Sequence, residues 1–253
     1  MRIDIATLFP DICETYLGQS IVGRARNKGV FELECHQIRD YAFDKHHRVD
    51  DTPYSERQGM LLLAEPIWQC YKAVVGERKP HVIYMSPRGK TLDQQKLKDL
   101  ASAGEDLFII CGHYEGVDQR VLDKLEAEEI SIGDFVLTGG ELPAMILADG
   151  VVRLLDGTLS QEDCFVDESH YSGLLEYPQY TKPQIWQDMP VPDVLISGHH
   201  ANIMKWRRQK SLEETYLKRP ELLDTAPLTD SDLAYLSELR AKYEDMPDFW
   251  KSR

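Results

Sequence analysis

The sequence predicts an α/β fold, a largely parallel sheet layered with helices and followed by a small C-terminal helical domain. Three observations carry that prediction. Short apolar runs rich in β-branched residues alternate with longer amphipathic stretches through the first half of the chain. Three of these runs stop abruptly in glycine: His81-Val-Ile-Tyr-Met-Ser-Pro-Arg-Gly89, Leu107-Phe-Ile-Ile-Cys-Gly-His-Tyr-Glu-Gly116, and the run that ends in Thr138-Gly-Gly-Glu-Leu-Pro143. Beyond residue 155 the chain turns rich in breakers, with Gly157, Gly173, Pro178, Pro183, Pro190, Pro192 and Gly198, before helical patterns take over.

In order, the apolar runs predict strands over residues 3–8, 31–38, 81–85, 107–111 and 129–132. The amphipathic stretches between them predict helices over 12–27, 61–75, 92–101 and 117–124, and Pro143, suited to a first helical turn, opens another over 143–153. In the C-terminal part Ser211-Leu-Glu-Glu214 reads as a capping box before Tyr216 and Leu217, with Pro220 as the limit of that helix. Thr229-Asp-Ser-Asp232 opens a last helix with Leu233, Leu236, Leu239 and Tyr243 on one face. The expected organisation is a sheet domain over 1–157, a linker over 158–172 and a helical domain over 173–253.

Bulk properties narrow the function. A chain of 253 residues with 42% hydrophobic content can bury a core, and no apolar stretch approaches a membrane span. The start, Met1-Arg-Ile-Asp-Ile, carries charge where a signal sequence would be apolar, so residence in the cytoplasm is expected. Five cysteines, at 13, 35, 70, 111 and 164, form no CxxC pair and are expected to be free thiols. A formal charge of −14 excludes a generally basic nucleic-acid coat, so any RNA footprint must be local. Residues 205–219 offer one, with a net charge of +4 from Lys205, Arg207, Arg208, Lys210, Lys218 and Arg219 against Glu213 and Glu214. Trp206 and Tyr216 within it either stack on bases or point into a core; the pattern alone allows both.

The three glycine-ended junctions are either ordinary strand-to-helix turns or the loops of one pocket, with His113, Tyr114, Glu115 and Glu141 inside them. Neither GxGxxG nor GxxxxGK[ST] occurs, which argues against a dinucleotide fingerprint or a P-loop. His46-His47 followed by Asp50-Asp51 reads as a metal site or as a polar loop, and a nucleotide-binding hydrolase built on His46, Asp50 and Asp51 is one reading of it.

The order of motifs resembles the bacterial tRNA (guanine-N1)-methyltransferase family, TrmD, of the SPOUT class. The matching stretches are Leu8-Phe-Pro10, Gly23-Arg-Ala25, His46 with Val49-Asp-Asp51, Ser86-Pro87, Gly112 with Tyr114-Glu-Gly116, Ser131-Ile-Gly-Asp134, Gly139-Gly-Glu-Leu-Pro-Ala144, Glu162-Asp163 with Phe165, and Arg219-Pro-Glu-Leu-Leu223. The resemblance implies a sheet domain of SPOUT type with a deep trefoil knot, threaded through the three loops. It implies transfer of a methyl group from S-adenosylmethionine to N1 of guanosine at tRNA position 37, by a homodimer whose sites are shared between subunits.

By the same resemblance Asp163 is the base that removes the N1 proton, Arg153 stabilises charge developing on O6, and Glu115 lies near the cofactor and a Mg2+ ion. The cofactor is expected on Met85, Ser86, Pro87, Gly112, Tyr114, Gly116, Ile132, Gly133, Phe135, Leu137, Gly139, Gly140 and Pro143. The tRNA is expected on His46, Asp50, Gly59, Gly198, Arg207, Arg208, Lys210 and Arg219. Two departures stand close to the chemistry. Ser55-Glu-Arg-Gln58 replaces a glycine-rich stretch of the family, and the loop before Asp163 is shorter than usual. His113 stands where arginine is common and Cys164 where serine is. An alternative that follows from them is a SPOUT-fold protein that binds cofactor or RNA with impaired turnover.

Overall fold

A computed structural model of the chain describes residues 1–54, 59–159 and 168–244. The chain divides into two compact units, Met1–Glu162 and Asp163–Arg253. Among the described residues no helix is long and apolar enough to cross a membrane.

The first unit is built on a five-stranded sheet in the order β2-β1-β6-β5-β7. Its strands are β1 (Arg2–Thr7), β2 (Glu32–Gln37), β5 (His81–Thr91), β6 (Leu107–Cys111) and β7 (Glu128–Ser131). All neighbours are parallel, so every strand ends at the same edge of the sheet. Between β2 and β5 lie β3 (Asp50–Asp51) and β4 (Leu61–Leu62), a two-residue antiparallel ladder apart from the main sheet.

The period-2 alternation of the strands sorts the core into two layers. Ile3, Ile5, Ile83, Met85, Leu107, Ile109 and Cys111 face one way, onto α1 (Pro10–Leu17), α2 (Ser20–Asn27), α4 (Gln94–Ala103) and α6 (Glu141–Val152). Ala6, Val82, Tyr84, Phe108 and Ile110 face the other, onto α3 (Ala64–Val75) and α5 (Gln119–Lys124). Burial on both faces explains why β6 reads as an unbroken apolar run, all five of its residues being buried.

Asp4 is the exception inside this sheet. It is fully buried, yet its carboxylate accepts from Arg2 at 2.9 Å, Arg78 at 3.0 Å and His36 at 2.8 Å. Burial alone would raise its pKa, but the bonds from His36, Arg2 and Arg78 outweigh that and hold it at about 2.

Several boundaries differ from the sequence expectation, each for a local reason. The helix expected over 12–27 is two helices, because Gly18 closes α1 with its N–H on Glu14 O at 2.9 Å and Ser20 takes φ +53° at the turn. The helix expected from Leu61 starts at Ala64, since Leu61 and Leu62 pair with Asp51 and Asp50 instead. β5 runs on past Met85 to Thr91, with a register shift between Met85 and Lys90 against β7, so Ser86 to Gly89 form a bulge rather than a free loop. α6 begins at Glu141, not Pro143.

The second unit holds a small hairpin, β8 (Ile185–Trp186) and β9 (Met189–Pro190), and the helices α7 (Asp193–Ile196), α8 (His200–Lys218) and α9 (Asp230–Glu244). The expected capping box at Ser211 is mid-helix. α8 starts eleven residues earlier, and Thr215 Oγ1 donates back to Ser211 O at 2.7 Å instead. Pro220 does limit α8, and the last helix opens at Thr229-Asp-Ser-Asp232 as expected, here through a capping box with Thr229 N to Asp232 Oδ2 at 2.9 Å and Asp232 N to Thr229 Oγ1 at 3.3 Å. Leu236 and Leu239 enter a core with Leu174 and Leu212, whereas Leu233 stays exposed.

Candidate functional site

The bulge of β5, the turn after β6 and the segment between β7 and α6 all stand at the carboxyl edge of the parallel sheet, where crevices form in open α/β sheets. They converge on one cavity of about 510 Å³, within the range of small-molecule sites. A direct backbone bond ties two of them, Gly140 N to Gly112 O at 2.8 Å, and His113 bridges to Gly139. Glycine is required at 140 by proximity. A Cβ there would lie 2.8 Å from both Cys111 Cα and Gly112 N, and backbone atoms cannot give way as a flexible side chain does.

Of the residues expected on the cofactor, Met85, Ser86, Pro87, Gly112, Tyr114, Gly116, Ile132, Phe135, Leu137, Gly139, Gly140 and Pro143 all line this cavity, and Gly133 does not. Gly133 lies behind Phe135, whose ring carbon would be 2.6 Å from a Cβ at 133. Phe135, Val136 and Leu137 are exposed apolar side chains on the segment above the cavity, while Met85 and Ile130 are buried beneath it. Such a cradle, backbone amides and carbonyls at the edge with apolar walls, suits a purine nucleoside.

Sequence reasoning placed His113 and Glu141 at the junctions but not their contacts, and it did not single out Arg88. Glu141 is buried in the first turn of α6, and its Oε1 accepts from Thr7 Oγ1 at 2.7 Å. His113 lies between the rings of Phe9 and Tyr114, at 5.4 and 5.0 Å, with its Nδ1 buried and without a hydrogen-bond partner among the described residues. At the rim Arg88 pairs with Glu129 at 3.0 Å and donates to Gln119 at 3.1 Å. Each joins residues far apart in sequence, and no spacing rule reaches them.

The expected catalytic residues are distributed. Glu115 lines the cavity, and its side chain packs against Gly59, where φ is +124° and a Cβ would meet Glu115 Cγ at 2.5 Å. Arg153 lies elsewhere, on a larger cavity of about 770 Å³ walled by Ile12, Tyr16, Asp149 and Leu159. Asp163 and Cys164 lie outside the described residues, as do Ser55-Glu-Arg-Gln58 and most of the shortened loop.

For a metal, Glu115 offers one carboxylate. Among the described residues the one His, Cys, Asp or Glu trio with ligand atoms within 4.8 Å of one another is Asp4, Glu34 and His36, where Arg2 and Arg78 already neutralise the charge. His46, His47, Asp50 and Asp51 form no such group. His46 is exposed, its backbone N–H on Asp44, and Asp50 sits in β3, so the polar-loop reading of this segment fits the structure. The four described cysteines, Cys13, Cys35, Cys70 and Cys111, are free.

In the second unit Gly198 lies between α7 and α8 with φ +74°. Arg208 is bound by Asp232 at 2.8 Å, Lys210 pairs with Glu213 at 2.5 Å, and Lys218 and Arg219 pair with Glu214 and Glu221. Tyr216 packs into the small core beside Tyr243, at 6.2 Å between rings, so it is not a base platform.

Comparison with known proteins adds what geometry alone does not. The family model described as "tRNA (Guanine-1)-methyltransferase TrmD" matches residues 1–225. A protein of Ruminiclostridium cellulolyticum named tRNA (guanine-N(1)-)-methyltransferase is 53% identical over 90% of this chain and 98% of its own length. One of the same name from Alkaliphilus oremlandii is 48% identical over 96% of this chain and all of its own. A third, from Streptococcus gordonii, is 48% identical over 96% of this chain and 98% of its own.

Proposed function

Since this chain belongs to the TrmD family of tRNA (guanine-N1)-methyltransferases, we propose that it transfers a methyl group from S-adenosylmethionine to N1 of guanosine at tRNA position 37. The observation that carries the reading is the meeting of three strand-end loops on one cavity, tied by Gly140 N to Gly112 O at 2.8 Å.

The residues present fit the cofactor. Gly112, Gly139 and Gly140 let backbone donors and acceptors reach an adenine edge, and Met85, Ile130, Phe135 and Leu137 exclude water from it. When bound, the cofactor supplies an activated methyl group on a sulfonium. What remains for the protein is to hold the acceptor in line and take its proton. Asp163 removes the N1 proton, and Arg153 stabilises the negative charge that then grows on O6. Glu115, at the cavity and braced by Gly59, orients the guanine or holds Mg2+, whose remaining ligands would be water and substrate oxygens.

The active form in this proposal is a homodimer with each site shared between subunits. An exposed apolar face supports it: Phe9, Ile12 and Tyr16 at α1 lie beside Leu142 and Ile146 of α6, the two helices being packed together. Within one chain Arg153 and Glu115 line different cavities, which is the arrangement expected if one site draws on two chains. The trefoil knot implied by the family resemblance belongs to the same proposal. So does a tRNA-binding role for residues 173–253 beyond a linker over 158–172.

The test is methyl transfer from labelled cofactor to unmodified tRNA, followed by mapping of the product. Labelled 1-methylguanosine at position 37 is expected. Cofactor binding without transfer would instead favour the protein with impaired turnover.

A further inference from the structure

The basic stretch on α8 sorts into two kinds of cation. Arg208, Lys210, Lys218 and Arg219 each have a carboxylate partner, and that of Arg208, Asp232, caps α9. Arg207 has none among the described residues. Its guanidinium lies over the Tyr177 ring at 4.9 Å, and its Nε is one of two buried side-chain polar atoms, among the described residues, that lack any hydrogen-bond partner. The ring face attracts the charge but accepts none of the in-plane N–H groups. The shielded Nε holds the guanidinium in place without a partner of its own, and it is the terminal N–H groups, with no acid beside them among the described residues, that an anion arriving from outside can reach.

Aromatic rings continue from that point. Trp206 meets Tyr177 edge-on at 6.4 Å, and Tyr180, at 6.4 Å on the other side of Trp206, is 48% exposed. Trp206 thus stands between the ring under the guanidinium and the open ring of Tyr180, and a fixed cation in line with such a row of aromatic rings is an arrangement that can bind one nucleotide of a single strand, its phosphate on the cation and its base on the exposed ring. Lys205, exposed and also without an acid partner among the described residues, adds positive charge nearby. We infer that Arg207, with Tyr180 and Trp206, forms a phosphate-and-base subsite for one nucleotide of the tRNA, and that Arg208, Lys210 and Arg219 are structural cations. The inference rests on the reading of tRNA as the substrate.

Binding of unmodified tRNA to the full chain, measured by fluorescence anisotropy over a range of KCl concentrations, tests it. Arg207→Ala should raise Kd about tenfold and lower the slope of log K against log salt by about 0.7 to 1, the share of one phosphate contact. Arg207→Lys should restore the slope. Tyr180→Ala should raise Kd about fivefold or more with the slope unchanged, since stacking releases no counterion. Arg208→Ala should lower the melting temperature and leave the slope alone. A wild-type slope in Arg207→Ala, or in Arg207→Gln should the alanine variant not fold, would overturn the subsite. If the wild-type chain binds and methylates no tRNA, the failure lies with the functional reading instead.

Discussion

At the scale of single residues the site depends on what is missing as much as on what is present. Gly140 has an ordinary helical φ of −85°, so its requirement comes from space, not from conformation. Gly140→Ala should press Cys111 and Gly112 away from the last loop and weaken S-adenosylmethionine binding at least about tenfold, a loss of about 1.4 kcal/mol. Calorimetry on the folded variant checks this, and unchanged affinity would remove the three-loop cavity as the cofactor site. Asp163→Asn keeps shape and removes the base. Turnover should fall by about 10² to 10⁴ while cofactor affinity holds, and near-normal turnover would exclude Asp163 as the base. The glycines of the three junctions were legible in the sequence because each ends a β-branched run, and three such endings together point to one pocket more strongly than any one of them does. His113 Nδ1 and the Thr7 to Glu141 bond were not, since each depends on two loops brought together by the sheet.

At the scale of elements, the sequence exposed strands better than helix ends. β6 was readable to the residue, whereas the break between α1 and α2 was hidden because the amphipathic pattern continues across Gly18. The start of α8 was missed for the opposite reason. Ser211 and Glu214 mimic a cap, but their backbone groups are already committed to the helix. Buried carboxylates tie elements together, and their titration sets the acid limit of the fold. Asp4 joins β1 to β2 and to the segment before β5, with a pKa of about 2 against 3.8 unperturbed. Arg208, against burial, holds Asp232 at about 2 as well. Both pKa values are depressed, so the stability they confer is complete above about pH 4 and is lost as pH falls through 4 towards 2. Thermal melts should drop steeply over that window. Asp4→Asn should be less stable by about 2 to 4 kcal/mol near neutral pH, with a shallower fall between pH 4 and 2. A parallel curve, offset but equally steep, would mean that other carboxylates govern acid unfolding.

At the scale of the whole molecule, joint motif order pointed to the family more firmly than any single element did, because the matches run along nearly the whole chain. A shared site makes a strong demand. Chains carrying Asp163→Asn and chains carrying Gly140→Val, whose larger side chain against Cys111 and Gly112 should abolish cofactor binding, should together regain about a quarter of wild-type activity after free subunit exchange. Half the dimers would be mixed, and one of the two sites in each would pair an intact cavity with an intact aspartate. No recovery in verified mixed dimers would place cavity and base in one chain.

The strand order sets a schedule for folding. β6 lies between β1 and β5, although β5 precedes it in the chain, so neither neighbour can be closed in the sheet until residues 107–111 exist. During synthesis β1 and β2 can pair early, but β5 emerges with both of its partners still to come. Its buried face must wait as an unpaired edge, the condition under which chains associate wrongly. Slow folding follows from such non-local pairing, and the nascent chain is most vulnerable between the emergence of β5 and that of β7. A chain truncated after residue 104 should therefore aggregate, whereas one that ends after the first compact unit should not.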